Sequence, residues 1–215
     1  MLFKRKNPKI FCIGRNKTGT TSLSKAFVDL GFKLGDQVEA EWLFDDWVKR
    51  DFSKLKRYCQ NAEVFQDSPF SLPYTFVYLD QIFPNSKFIL TVRDSALQWY
   101  HSLVRFHAKL WANDGVRPTK DDLKRAFYLY EGFPYDAIKR QFGTPDDDLY
   151  CQSTLIKAYE DYNQSVVEYF KYKPDSFLHL NVGKPDSYWK FCAFLNKKPI
   201  YDEFPWEQKT EDLKV

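Results

Sequence analysis

A lysine and several hydroxyl side chains are concentrated in one stretch near the start of the sequence, GRNKTGTTSL, residues 14–23. An apolar run, residues 9–13, precedes it and apolar residues at helical spacing follow it, which predicts a strand, a turn and a helix. The free amides and the dipole at a helix N-terminus favour anions. Lys17 at the apex of the turn adds positive charge. The hydroxyls belong to Thr18, Thr20, Thr21 and Ser22. Together these groups predict a site for an anion.

The two glycines of this stretch have the separation found in a Walker A phosphate-binding loop. Such a loop places its lysine directly after the second glycine, whereas Thr20 follows Gly19 here and the lysine is at position 17. A glycine turn with a threonine cap and a solvated lysine would explain the glycines equally well. Lys17 and the three hydroxyls directly after Gly19, in a loop that follows an apolar strand, favour the anion site.

Polar side chains also follow two other predicted strands. Residues 87–92 form the most apolar strand and end at Arg93 and Asp94, and residues 63–65 form a strand that Asp67 follows. In parallel sheets, ligands bind beyond the carboxyl ends of the strands. We therefore expect these side chains to converge on the Lys17 loop.

Strands alternate with helices along most of the chain. Helices are predicted over residues 20–30, 39–50, 52–60, 72–83, 96–106, 152–170 and 188–195, with two more in 108–148 and a last strand over 176–180. This alternation predicts an α/β fold with three layers, in which a mostly parallel central sheet is flanked by helices. The chain has 215 residues, of which 44% are hydrophobic, so we expect a single domain.

Composition excludes several classes of function. A net charge of +3 is too small to predict binding to nucleic acid or a membrane surface. The four cysteines are scattered and no histidine completes a metal site, so we expect free thiols and no metal. Without an apolar span of membrane length, a cytoplasmic protein is expected. The aromatic content of 19% indicates a packed core or an aromatic pocket, and composition does not separate the two.

The loop Lys17-Thr18-Gly19-Thr20-Thr21 resembles the K-x-G-T-T loop of the sulfotransferase family. In that family the donor is 3′-phosphoadenosine 5′-phosphosulfate (PAPS), the product is 3′-phosphoadenosine 5′-phosphate (PAP), and the lysine contacts the bridging oxygen of the phosphosulfate. The resemblance implies a P-loop NTPase-like fold that uses PAPS without a metal. A cation at the bridging oxygen would stabilise the charge that develops as the sulfur–oxygen bond breaks.

Further segments carry the same resemblance. Arg93 and Ser102 look like the arginine and serine that bind the 3′-phosphate, although Ser102 lies one position later than in the family, which leaves Ser95 as an alternative. The helix NQSVVEYF, residues 163–170, and the closing segment, residues 178–205, are similar to the same parts of compact sulfotransferases. Tyr162 replaces the histidine that usually precedes the helix asparagine. The donor residues implied by the resemblance are Arg15, Asn16, Lys17, Thr18, Gly19, Thr20, Thr21, Ser22, Arg93 and Ser102.

Transfer to a hydroxyl or amine requires a general base near the acceptor. Asp67, at a strand end, resembles the aspartate of compact members and is the predicted base, with capping of the following helix as its alternative role. His101 is the second candidate, ahead of His107. Residues 106–150 are expected to form a helical region that covers a small-molecule or carbohydrate acceptor; the sequence does not indicate an oligomeric state.

Two other functions fit parts of the sequence. An ATP-dependent small-molecule kinase would use Asp94 to bind magnesium, but position 20 is not lysine. A nucleotide-binding module without activity would keep the loop and lack a working base.

Overall fold

The computed structural model describes residues 8–113 and 115–205. In these ranges four parallel strands form one sheet in the order β2-β1-β3-β4. The strands are β1 (Ile10–Cys12), β2 (Val64–Phe65), β3 (Lys87–Thr91) and β4 (Phe177–Leu180). Phe11 on β1 is in register with Phe65 on β2 and Phe88 on β3. The predicted parallel α/β sheet is confirmed.

Ten α-helices surround the sheet in the described ranges. They are α1 (Thr20–Asp29), α2 (Gln37–Glu41), α3 (Phe44–Val48), α4 (Ser53–Tyr58), α5 (Thr75–Ile82), α6 (Ala96–Trp111), α7 (Lys120–Arg125), α8 (Phe133–Phe142), α9 (Gln152–Phe170) and α10 (Ser187–Phe194). A short 3-10 turn, Pro174–Ser176, precedes β4.

The two faces of the sheet are buried in different hydrophobic clusters. Successive side chains of a strand point to opposite faces, and Phe11 packs with residues of α5 and α9 while Ile10 and Cys12 pack with residues of α1 and α10. A sheet covered on both faces by helices gives the three layers that the sequence predicts.

A third cluster holds the helices beyond β3. Trp99 on α6 stacks on Tyr159 of α9, with ring centroids 4.4 Å apart, and Tyr150 is almost fully buried beside them. Helix α6 extends to Trp111, five residues beyond its predicted end. Burial of Leu103, His107 and Ala108 stabilises this longer helix.

The predicted helix over residues 39–50 is wrong as a single element. Two short helices, α2 and α3, replace it, and Asp36 caps α2 by accepting a hydrogen bond from the Glu39 amide at 2.9 Å. The residues between them are compatible with helix, so periodicity alone does not predict the break.

Candidate functional site

The loop between β1 and α1 is fastened to the neighbouring strand. A side chain at Gly14 would overlap the backbone of Thr91 on β3, which explains the need for glycine there. The Thr18 hydroxyl lies 2.6 Å from the Thr91 hydroxyl and donates to the Arg15 carbonyl at 2.5 Å. Thr18 is fully buried, so its side chain shapes the loop from behind.

Two contacts fix the apex of this loop. The Arg93 Nε donates to the Lys17 carbonyl at 2.6 Å, and the Trp99 indole donates to the Asn16 carbonyl at 3.0 Å. Lys17 has a left-handed backbone with φ 66°, and its Nζ lies 3.5 Å from the centroid of the Phe106 ring. Burial and the neighbouring Arg93 lower the pKa of Lys17 to about 8. The lysine is therefore held in place before any ligand binds.

The N-terminus of α1 and the Lys17 loop adjoin the same cavity. Gly19, with φ 97°, occupies the N-cap position before α1, and no side chain in the described ranges caps the helix. The side chains of Thr20, Thr21 and Ser22 line the adjoining cavity. Uncapped amides and hydroxyls at a helix N-terminus form an anion-binding cradle.

A cavity of about 740 Å³ lies against this loop. Its lining includes Lys17, Arg93, Gln98, Ser102 and Arg105. Among the residues that the structure describes, none of these three cations takes part in an ion pair. Three cations that line one cavity without ion pairs favour a ligand with more than one anionic group.

The structure distinguishes the two serines after β3. Ser95 caps α6 by accepting from the Gln98 amide at 3.1 Å and does not line the cavity, whereas Ser102 does. Asp94 is exposed and also lies outside the cavity lining; it pairs with Lys184 at 2.6 Å and accepts from Asn181 at 3.0 Å. Ser102, rather than Ser95, lies with Arg93 in the cavity.

Asp67 lines the cavity beside the Lys17 loop. Its backbone is left-handed, with φ 54°, and its carboxylate accepts hydrogen bonds from Thr20 and from Gln66 at 3.3 Å. Burial, followed by the charge of Glu41, raises the pKa of Asp67 to about 6. Its Oδ1 atom is buried without a hydrogen-bond partner in the described part of the chain. The helix that follows, α5, starts at Thr75 and has no side-chain cap, so Asp67 does not cap it.

The two histidines of α6 lie in different surroundings. His101, the second candidate for the base, is exposed and does not line the cavity. His107 lines the cavity, and its Nδ1 lies 3.0 Å from the Tyr150 hydroxyl. Burial and the charge of Lys17 lower the pKa of His107 to about 3, which makes its ring a weak base near neutral pH.

The side chain of Arg15 also lies away from the cavity lining. It is fully buried, with its guanidinium 4.5 Å from the Tyr162 ring and 5.1 Å from the Phe142 ring. The resemblance implied a donor contact for Arg15, but this side chain instead stacks beneath the loop. Tyr162, which replaces the family histidine, donates from its hydroxyl to the Ile13 carbonyl at 2.6 Å.

Two charged cavity residues were not predicted from the sequence. Arg105 lies three positions after Ser102, a spacing that places both on the same face of a helix, so the sequence contained that signal. Glu41 also lines the cavity, but it belongs to no motif and no periodicity indicates it. Phe106 and Tyr128, which line the cavity as well, belong to the region expected to cover the acceptor.

A profile of the sulfotransferase domain family matches residues 9–213. The chain belongs to this family. The match supports transferase activity of the sulfotransfer type, and the Lys17 loop, Arg93, Ser102 and Asp67 of this sulfotransferase all line one cavity. The comparison with individually curated proteins finds no match.

Two searches of the described residues complete the description of this sulfotransferase. No group of three or more His, Cys, Asp or Glu side chains there is arranged to hold a metal ion. None of the helices in those ranges is both long and apolar enough to cross a bilayer. Cys12, Cys59, Cys151 and Cys192 are free thiols.

Proposed function

We propose that this sulfotransferase moves a sulfonate group from PAPS to a hydroxyl or amine of a small-molecule or carbohydrate acceptor. The observation that carries the proposal is that Lys17, the start of α1, Arg93, Ser102 and the Asp67 carboxylate all line a single cavity. Lys17 and the uncapped start of α1 suit the phosphosulfate, and Arg93 with Ser102 suits the 3′-phosphate. Asp67 lies beside the first of these sites.

Each residue contributes one step to the proposed reaction. PAPS supplies an activated sulfonate whose bond to the bridging oxygen breaks during transfer. Lys17 stabilises the negative charge that develops on that oxygen, and the α1 amides bind the phosphosulfate oxygens. Asp67 accepts the proton of the acceptor as its oxygen or nitrogen attacks sulfur. The raised pKa of Asp67, about 6, brings this carboxylate closer to neutral pH, where a base is most effective.

The contacts of Asp94 favour PAPS over ATP with magnesium. A kinase would aim this carboxylate at a metal beside the phosphates, but Asp94 is exposed and engaged with Lys184 and Asn181. The absence of lysine at position 20 points the same way.

Thermal-shift titration tests the donor and the role of Arg93 together. We expect PAP to raise the melting temperature more than ADP, or ATP with magnesium, because a ligand that binds only the folded state stabilises it. Arg93→Ala is expected to lower the affinity for PAP by about 30-fold and to leave the affinity for ADP within about twofold of the wild-type value. Only PAP carries the 3′-phosphate that Arg93 would bind. Preference for ATP would contradict the proposed donor, and an unchanged PAP preference in Arg93→Ala would contradict the phosphate site.

The pH dependence of kcat/KM for the donor is expected to be bell-shaped. Asp67 acts as a base only when deprotonated, so activity rises with pH through about 6, the raised pKa of its carboxyl. Lys17 acts only when protonated, so activity falls as pH rises through about 8, its lowered pKa. Steady-state kinetics with an acceptor that does not ionise between these values measures both limbs. A rate that is flat across the acidic limb would argue against Asp67.

A further inference from the structure

The cavity is lined by acidic as well as basic side chains. Glu41 lines it together with Asp67, and the charge of Glu41 is the largest cause after burial of the raised pKa of Asp67. The two carboxylates therefore repel each other across one cavity. Among the described residues, Glu41 forms no ion pair, so no protein cation neutralises it.

Hydrogen bonds hold the Glu41 carboxylate in position. The Gln37 side-chain amide donates to it at 3.2 Å and to the Ser68 carbonyl at 3.3 Å, which ties α2 to the Asp67 loop. The Tyr128 hydroxyl partly offsets the rise that burial causes in the pKa of Glu41. A carboxylate held by Gln37 at the cavity wall presents a fixed negative charge to an acceptor.

An aromatic wall lies beside this carboxylate. The Tyr128 ring stacks on Phe133 at 5.7 Å and meets the edge of Trp111 at 6.4 Å, and all three side chains line the cavity. An apolar body of the acceptor would pack here while its polar end meets Glu41.

We propose that Glu41 selects acceptors that carry a protonated amine beside an aromatic or aliphatic body, and rejects those that carry a carboxylate or phosphate. This inference rests on the proposed function. A like charge held against Glu41 in a partly desolvated cavity is repelled, whereas an ammonium group is attracted. Rejection of the wrong charge contributes to specificity as much as attraction of the right one.

The reaction of such an acceptor balances without a further reagent. A hydroxyl oxygen of the acceptor forms the new bond to sulfur, and the bond from sulfur to the bridging oxygen breaks with its electron pair leaving on PAP. The hydroxyl proton passes to Asp67. The ammonium group of the acceptor remains protonated against Glu41 throughout.

Equilibrium titration of the protein saturated with PAP tests this selection without requiring turnover. The probes are three phenols of similar shape: tyramine, which is cationic, 4-ethylphenol, which is neutral, and 3-(4-hydroxyphenyl)propionate, which is anionic. Titration at pH 8 keeps the carboxylates ionised, although burial raises the pKa of Glu41 and of Asp67. We expect tyramine to bind tightest and the propionate weakest.

The variant Glu41→Gln keeps the shape of the side chain and removes its charge. We expect it to lower the affinity for tyramine about tenfold and to raise the affinity for the propionate about tenfold. The affinity for 4-ethylphenol should stay within about twofold of the wild-type value. Glu39→Gln is the matched control, since Glu39 lies on the same helix, is exposed and does not line the cavity; it is expected to bind all three probes as the wild type does.

The outcomes separate this inference from the proposed function. Failure of PAP to bind would overturn the proposed function, and the inference with it. If PAP binds but the three phenols bind equally or not at all, the inference alone is overturned. An unchanged order of affinities in Glu41→Gln would overturn it as well, and the wild-type order remains a test even if that variant does not fold.

Discussion

Asp67→Asn is expected to lower kcat by about 10²- to 10⁴-fold, the range typical for loss of a general base. The amide cannot accept the acceptor proton, while its shape preserves the contacts with Thr20 and Gln66. Asparagine also tolerates the left-handed backbone at this position, φ 54°, better than most residues. PAP affinity is expected to change by roughly twofold at most, because Asp67 acts on the acceptor and not on the donor. Single-turnover kinetics and PAP titration measure the two effects separately.

The stability of this variant serves as its folding control. Because the folded-state pKa of Asp67 is raised to about 6, the folded protein binds more protons there than the unfolded chain between the two pKa values, so ionisation of Asp67 costs stability as pH rises. Removing that charge should raise the melting temperature at pH 8. Asp94→Asn, the same change at an exposed position outside the cavity lining, should keep kcat within about threefold. Turnover by Asp67→Asn at the wild-type rate would assign the base to another group.

The acid limb of the pH profile provides a second check on the same variant. If Asp67 is the base, its loss removes the rise in activity through pH 6 as well as lowering the rate. A variant that is slow but keeps the acid limb would indicate that Asp67 positions the acceptor or the Thr20 hydroxyl, and that a different group titrates.

Local patterns in the sequence were sufficient for the elements that carry the donor residues. Apolar runs and helical spacing predict β1, α1, β3 and α9, and the parallel arrangement follows from their alternation. The convergence of Lys17, Asp67 and Arg93 on one cavity follows from the rule that ligands bind beyond the carboxyl ends of parallel strands. These inferences need no knowledge of which helices pack together.

Predictions that depended on packing between distant segments were less accurate. The exposure of His101 and the burial of His107 follow from how α6 packs against α9 and Tyr150. The sequence of α6 alone does not predict this packing. Arg15 belongs to the loop motif, yet its guanidinium stacks on the rings of Phe142 and Tyr162. Glu41, the last residue of α2, lines the cavity, and Gln37 of the same helix donates to the Ser68 carbonyl. In each case the deciding partner lies far along the chain.

Lys17→Met is expected to lower kcat by about 10²- to 10³-fold, which is the usual effect of removing a group that stabilises charge in the transition state. Methionine has a similar length and neither residue is glycine, so the left-handed backbone at φ 66° is strained to a similar degree in both. PAP lacks the sulfonate and the reacting bond, so its affinity should fall by much less than kcat, about tenfold or less. Pre-steady-state measurement of sulfonate transfer, with PAP titration alongside, gives both numbers.

Two further variants distinguish charge at the reacting bond from packing of the loop. Lys17→Arg restores the cation over the Phe106 ring and should recover part of the lost rate, whereas Lys33→Met removes an exposed lysine that does not line the cavity and should have no effect. A loss of PAP affinity with an unchanged kcat in Lys17→Met would show that the lysine only binds the donor. A selective loss of kcat would support the reason for a lysine at position 17 rather than position 20: it acts where the sulfur–oxygen bond breaks, while the α1 amides hold the phosphosulfate.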